Sequence, residues 1–118
     1  MSFFKLRKNK RNLNPETQWS ISIKEDIISL KDSNQNITCC PILEIYKIII
    51  ETNDQGPFIP DVWWKLISKT NQLIFPQGCL GEEELLINIQ NLPHFDLKKY
   101  YQAMRCTSNN EFICWTKR

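Results

Sequence analysis

Gly56-Pro57-Phe58-Ile59-Pro60-Asp61-Val62-Trp63-Trp64-Lys65-Leu66-Ile67, followed by Leu73-Ile74-Phe75-Pro76-Gln77-Gly78, is the stretch that decides the fold. Val62, Trp64 and Leu66 alternate, and so do Leu73 and Phe75, so each set lies on one face of a strand. The short polar run Lys69-Thr70-Asn71-Gln72 between them reads as a hairpin turn. Pro60 and Pro76 bracket the pair, as proline belongs at strand ends where no ladder donor is needed. Two of the four Trp sit here, and each can bury on the order of 200 Å². A Trp-anchored hairpin is expected, with C-terminal helices packed on it.

Upstream, Trp19, Ile21 and Ile23 alternate with Ser20, Ser22 and Lys24, which predicts a half-buried strand. Glu25-Asp26 is the turn into a returning strand through Ile28 and Leu30. A polar loop follows, then a short strand from Ile37 to Cys40 that Pro41 ends, then a bend or helical turn. Glu44–Thr52 is Ile-rich, with Tyr46, Ile48 and Ile50 on one face and Ile45 and Ile49 on the other. That pattern suits a central strand covered on both sides.

Downstream, Gly81 opens a helix whose first turn holds Glu82, Glu83 and Glu84, where carboxylates favour the exposed N–H groups. Pro93 ends it. Asp96 is placed to cap a second helix, Leu97 to about Arg105, with Leu97, Tyr100, Tyr101 and Met104 as its apolar face. Phe112–Trp115 reads as a last strand. Strands followed by helices define an α+β fold: an antiparallel sheet of about five to seven strands with two C-terminal helices packed on it. Residues 1–16 read as a basic arm, or as a short first strand through Phe3, Phe4 and Leu6, and residues 17–118 as a single domain of ordinary size.

Charge is divided along the chain. The first eleven residues hold five of the fifteen basic residues and no acid. Residues 51–96 hold seven acidic residues against two lysines, a net of −5. The body is therefore acidic, which argues against direct nucleic-acid binding there and for docking of a basic partner. Asp54, Asp61, Glu82, Glu83 and Glu84 supply that charge, and Trp63, on the strand face opposite Val62 and Trp64, is either an outward aromatic anchor or covered by a helix on that face.

The candidates for chemistry are few. His94 is the single histidine, in a bend between the helices, where surface placement is the ordinary outcome. The three glutamates have a sufficient structural reason at a helix start. Gly78-Cys79-Leu80-Gly81 lacks the pattern of a nucleophile elbow, and three glycines in total leave no phosphate-binding loop. The five cysteines include no CxxC pair, so reduced and mostly buried thiols are expected, with no metal and no cofactor. No apolar stretch suits a signal peptide or a stable membrane insertion, so a cytoplasmic location is expected.

From Pro57–Trp64 through Phe75-Pro76-Gln77-Gly78 to Leu92-Pro93-His94-Phe95-Asp96 and Met104, the chain resembles the small cytoplasmic immunity proteins of bacterial contact-dependent inhibition and related polymorphic toxin systems. The resemblance covers residues 19–116 in layout and rests on size, strand content, an acidic face and the lack of a catalytic set. It implies a non-enzymatic protein that binds and neutralises a cognate toxin domain, often a basic nuclease. The strand-then-helix order is also similar to pleckstrin-homology-like domains. That implies the alternative of an adaptor for anionic membrane or peptide, working through Phe3, Phe4 and the basic arm.

Overall fold

A computed structural model of the chain describes residues 15–56 and 60–118. The basic arm with Phe3 and Phe4, and also Pro57, Phe58 and Ile59, lie outside the described residues. Pro15 and Glu16 belong to a 3-10 turn, Pro15–Gln18, that leads into the first strand. The strands are β1 Ser20–Lys24, β2 Ile27–Lys31, β3 Ile37–Pro41, β4 Ile45–Thr52, β5 Val62–Ser68, β6 Gln72–Pro76 and β7 Asn110–Thr116. Helices α1 (Glu82–Ile89) and α2 (Leu97–Arg105) lie between β6 and β7. The class is α+β, as the sequence predicts.

The seven strands divide into two antiparallel sheets, β1-β2-β3 and β6-β5-β4-β7. The division has a local cause. Pro41 and a 3-10 turn at Ile42–Glu44 lead the chain out of the first sheet. Both edges of β4 are then taken, one by β5 and the other by β7. The order ends helix, helix, strand, and not in the single capping helix of a pleckstrin-homology-like domain.

The hairpin that anchors the reading forms as expected, in a register that sets Trp64 opposite Phe75 and Leu66 opposite Leu73. Ser68 closes its turn: the backbone N–H of Ser68 donates to the Asn71 carbonyl at 2.9 Å, and the Ser68 hydroxyl accepts from the Asn71 N–H at 3.1 Å. The β1–β2 turn carries positive φ at both Glu25 and Asp26 (52° and 65°), the twist a two-residue hairpin loop requires.

Register explains one departure from simple alternation. Ile45 pairs with Ser68 while Lys47 pairs with Ile67, so Tyr46 is an extra residue in β4. Such a bulge resets the alternation. Ile45 therefore joins Ile48 and Ile50 on the buried face, and Tyr46 is exposed. The sequence pattern had set Ile45 on the opposite face and Tyr46 with Ile48. A second irregularity in the β4–β7 ladder, between Ile48 and Ile49, leaves Cys114 without a partner in the register.

One core joins both sheets and both helices. It takes Ile21, Ile28, Leu30 and Cys40 from the first sheet, and Ile48, Ile50, Trp64, Leu66, Leu73 and Phe75 from the second. Leu85 and Ile89 of α1, and Tyr100 and Ala103 of α2, complete it. Trp64 stacks on Phe75 at 6.0 Å between ring centroids and meets Tyr100 at 5.7 Å. The Asp96 side chain caps α2 as expected, its Oδ1 accepting from the Lys99 N–H at 3.0 Å. The apolar face of α2 is narrower than the sequence suggests. Tyr100 and Ala103 are buried, whereas Leu97 and Tyr101 face solvent.

Candidate functional site

β5 presents two adjacent tryptophans to opposite faces of its sheet. Trp64 is fully buried, and Trp63 is half-buried on the outer face between Glu51 of β4 and Pro76 of β6. Trp63 is held, not free. Its indole N–H donates to the Pro60 carbonyl at 3.1 Å, and its ring meets Trp19 edge-on at 5.7 Å and 85°. Trp19 is half-buried and lies just before β1. The sequence had grouped it with Ile21 and Ile23 on the core side of that strand. Trp19 does pack against the core, as that grouping expects, and its ring meets Trp63 as well.

Backbone bonds tie this pair to the start of α1. The Leu80 N–H donates to the Trp19 carbonyl at 3.1 Å, and the Ile21 N–H donates to the Leu80 carbonyl at 2.8 Å. Gly81 follows in the left-handed region, φ +90°, and a Cβ there would overlap the Ile21 carbonyl oxygen. Only glycine permits that approach. The Leu80 side chain is left exposed. Trp19 is thus a neighbour of Trp63 that residue spacing alone did not reveal, and Leu80 is bonded to Trp19 in turn. The bridge from Ser20 to Leu80 is parallel and spans sixty residues.

The acidic candidates fall into two kinds. Asp54 is exposed and Asp61 is half-exposed, on either side of the β4–β5 connection, and the Asn53 N–H donates to the Asp61 carbonyl at 2.9 Å. Glu83 and Glu84 are exposed on the first turn of α1. Glu82 differs. Its Oε2 accepts from the indole N–H of buried Trp64 at 2.7 Å, and its Oε1 accepts from the Gly78 N–H at 3.1 Å. Both oxygens are engaged inside the molecule. Burial raises the Glu82 pKa above the ordinary carboxylate value, against the two hydrogen bonds that favour the anion. The Glu82 charge in turn helps raise Cys79 to about 12 and also raises Tyr100, both chiefly through burial. Of the six residues marked by the sequence, Glu82 therefore locks the core to α1, while the other five reach the surface.

Among the described residues a single ion pair forms, Lys65 to Glu51 at 3.2 Å. The carboxylates of Asp54, Asp61, Glu83 and Glu84 thus have no cation within salt-bridge distance among the described residues. Glu16 adds to this end of the molecule, since its side chain packs over Gly78.

Groups suited to covalent chemistry do not converge. His94 shares a shallow hollow with Asp96 and Cys114. Cys114 is buried, and desolvation with the nearby Asp96 raises its thiol to about 12, the opposite of an activated nucleophile. Asp96 Oδ1 is engaged in the helix cap. Cys106 is the one thiol shifted downward, by hydrogen bonds from Ser108 and Thr52. No histidine or carboxylate takes part in those bonds. All five cysteines are free, three buried, Cys39 exposed and Cys106 intermediate. Among the described residues no group of three or more His, Cys, Asp or Glu is placed to hold a metal ion, and no helix is long and apolar enough to cross a membrane.

Comparison with protein-family models, with curated proteins and with solved structures finds no match.

Proposed function

We propose that this protein is a non-enzymatic immunity-type inhibitor. It binds a basic protein toxin domain, of nuclease type, in the cytoplasm and blocks it through the surface centred on Trp63. The observation that carries this reading is the Trp63–Trp19 pair: two half-buried indoles held edge-on at 5.7 Å, with exposed Leu80 bonded through its backbone to Trp19. Rigid aromatic anchors of this kind supply most of the energy of a protein interface, and an ordered pair loses little entropy on binding. Asp54, Asp61, Glu83 and Glu84 supply charge that no cation among the described residues pairs with, which suits a basic partner and speeds encounter with it.

The test is capture from the native source at low and high salt, followed by affinity measurement on the purified pair. A basic partner is expected to bind near-stoichiometrically and to weaken as salt rises. Trp63→Ala is expected to weaken the complex by about 2 kcal/mol or more. Unchanged affinity and salt dependence after Trp63→Ala combined with Asp54→Lys and Asp61→Lys would remove this surface from the proposal.

A further inference from the structure

A second surface has the opposite character. The 3-10 turn at Ile42–Glu44, the α1–α2 connection and the end of β7 enclose a cleft of about 310 Å³. Its floor is apolar: Ile42, Ile45, Leu92, Pro93 and Trp115. The bulge at Tyr46 is what turns Ile45 inward here. The indole N–H of Trp115 donates to the Pro93 carbonyl at 2.8 Å, so this part of the floor is fixed. The titratable side chains lining the cleft are His94, Lys117 and Arg118, with no carboxylate among them.

The concavity continues past Leu43 and Lys117 into a shallower trough lined by Tyr46, Lys69, Thr70 and Glu44. Lys117 separates the two parts. Its backbone N–H donates to the Tyr46 carbonyl at 2.8 Å, and its Nζ donates to the Leu43 carbonyl at 2.6 Å. An ammonium carries three donors, so two remain available. None of Lys69, Lys117 and Arg118 has a carboxylate within salt-bridge distance among the described residues. Leu43 stands on the rim as a large apolar side chain that is 74 % exposed.

We propose that this groove is a docking site for an extended acidic peptide segment of a partner protein. An apolar side chain of the peptide enters the cleft, and its carboxylates meet Lys117, Lys69 and Arg118. Charge complementarity selects the occupant: three cations line the groove against the single carboxylate of Glu44. Shape supports a chain over a compact ligand. The cleft volume is at the lower end of the roughly 300–1,000 Å³ of small-ligand sites, and the groove runs on as an open trough. This surface does not depend on the Trp63 surface, and its partner has the opposite charge.

The probe is a fluorescein-labelled hexapeptide alternating leucine and glutamate, titrated against the full-length protein by fluorescence anisotropy. A leucine–lysine peptide is the control, and decanoate is the competitor that represents a small amphiphile. The acidic peptide is expected to saturate, to weaken as salt rises, and to bind at least about tenfold more tightly than the basic one. Lys117→Glu with Lys69→Glu is expected to weaken it about tenfold. Leu43→Asp, at a solvent-exposed site that does not threaten the fold, is expected to do the same. Equal binding of both peptides, no saturable binding of the acidic one, or indifference to these substitutions would overturn the proposal. So would saturation by decanoate without peptide binding.

Discussion

Trp63 and Trp64 are neighbours in sequence and opposites in environment. Trp64 is sealed between Phe75 and Tyr100, and its indole N–H is bound by a carboxylate at 2.7 Å. Trp63 lies half-open on the other face, held by a carbonyl at 3.1 Å and by the edge of a second indole. The pleat of one strand separates a residue sealed in the core from one left half-exposed. The inner face concentrates stability, so changes there should be read in unfolding. The outer face carries little of it, so changes there should be read in binding.

Trp64→Ala is the most severe way to break that contrast. It removes a fully buried side chain at the centre of the core, and a loss of about 3–5 kcal/mol is expected in urea unfolding. That is a large share of the roughly 5–15 kcal/mol typical of a whole domain. Gly81→Ala should come next, since it combines a forbidden φ of +90° with a clash against the Ile21 carbonyl. About 1–3 kcal/mol is expected from the backbone alone.

Glu82 sharpens the comparison, because it is an acidic residue that belongs to the inner face. Glu82→Ala leaves the buried Trp64 indole N–H without an acceptor and should cost about 1–3 kcal/mol. Glu82→Gln retains an acceptor and should cost less. The pair also predicts a pH effect. The folded protein holds a proton on Glu82 more tightly than the unfolded chain, whose carboxyl has the ordinary value of 4.5. The contribution of this group is thus fully present below about pH 4.5 and is lost as pH rises through the higher folded value. Stability of the natural protein relative to Glu82→Gln should therefore fall across that window. A difference that is flat or rises with pH would contradict the burial-driven shift.

The smallest stability effects are expected outside. Trp63→Ala gives up the edge contact with Trp19, worth about 0.5–1.5 kcal/mol beyond the area it covers. Charge reversal at exposed Asp54 or Glu83 should stay within about 0.5 kcal/mol. Should these outer changes destabilise the fold as much as Trp64→Ala does, the division of labour between the two faces would be wrong.

The legible parts of the chain were those where a local rule operates alone. Alternation located the hairpin and the inner faces of its two strands, and the register that sets Trp64 against Phe75 came from the folded ladder. Asp96 was legible as a cap because capping needs only the next three residues. The surface around Trp63 was half legible: strand parity set its face, but Trp19 reaches it from a distant part of the sequence. The cationic groove was not legible, because its walls come from three separate turns and strand ends.

By itself, then, the sequence determined the α+β class, the strand and helix positions, the face of Trp63 and the division between basic arm and acidic body. Periodicity, capping and charge are properties of a residue and its near neighbours, and these follow from them. Tertiary structure alone decided three other matters: that seven strands part into sheets of three and four, that the Tyr46 bulge turns Ile45 inward, and that Glu82 faces a buried indole while Glu83 and Glu84 face water. Each of these depends on which strand edge, which hydrogen-bond register or which buried donor lies nearby once the chain is packed. No stretch of the sequence contains that information on its own.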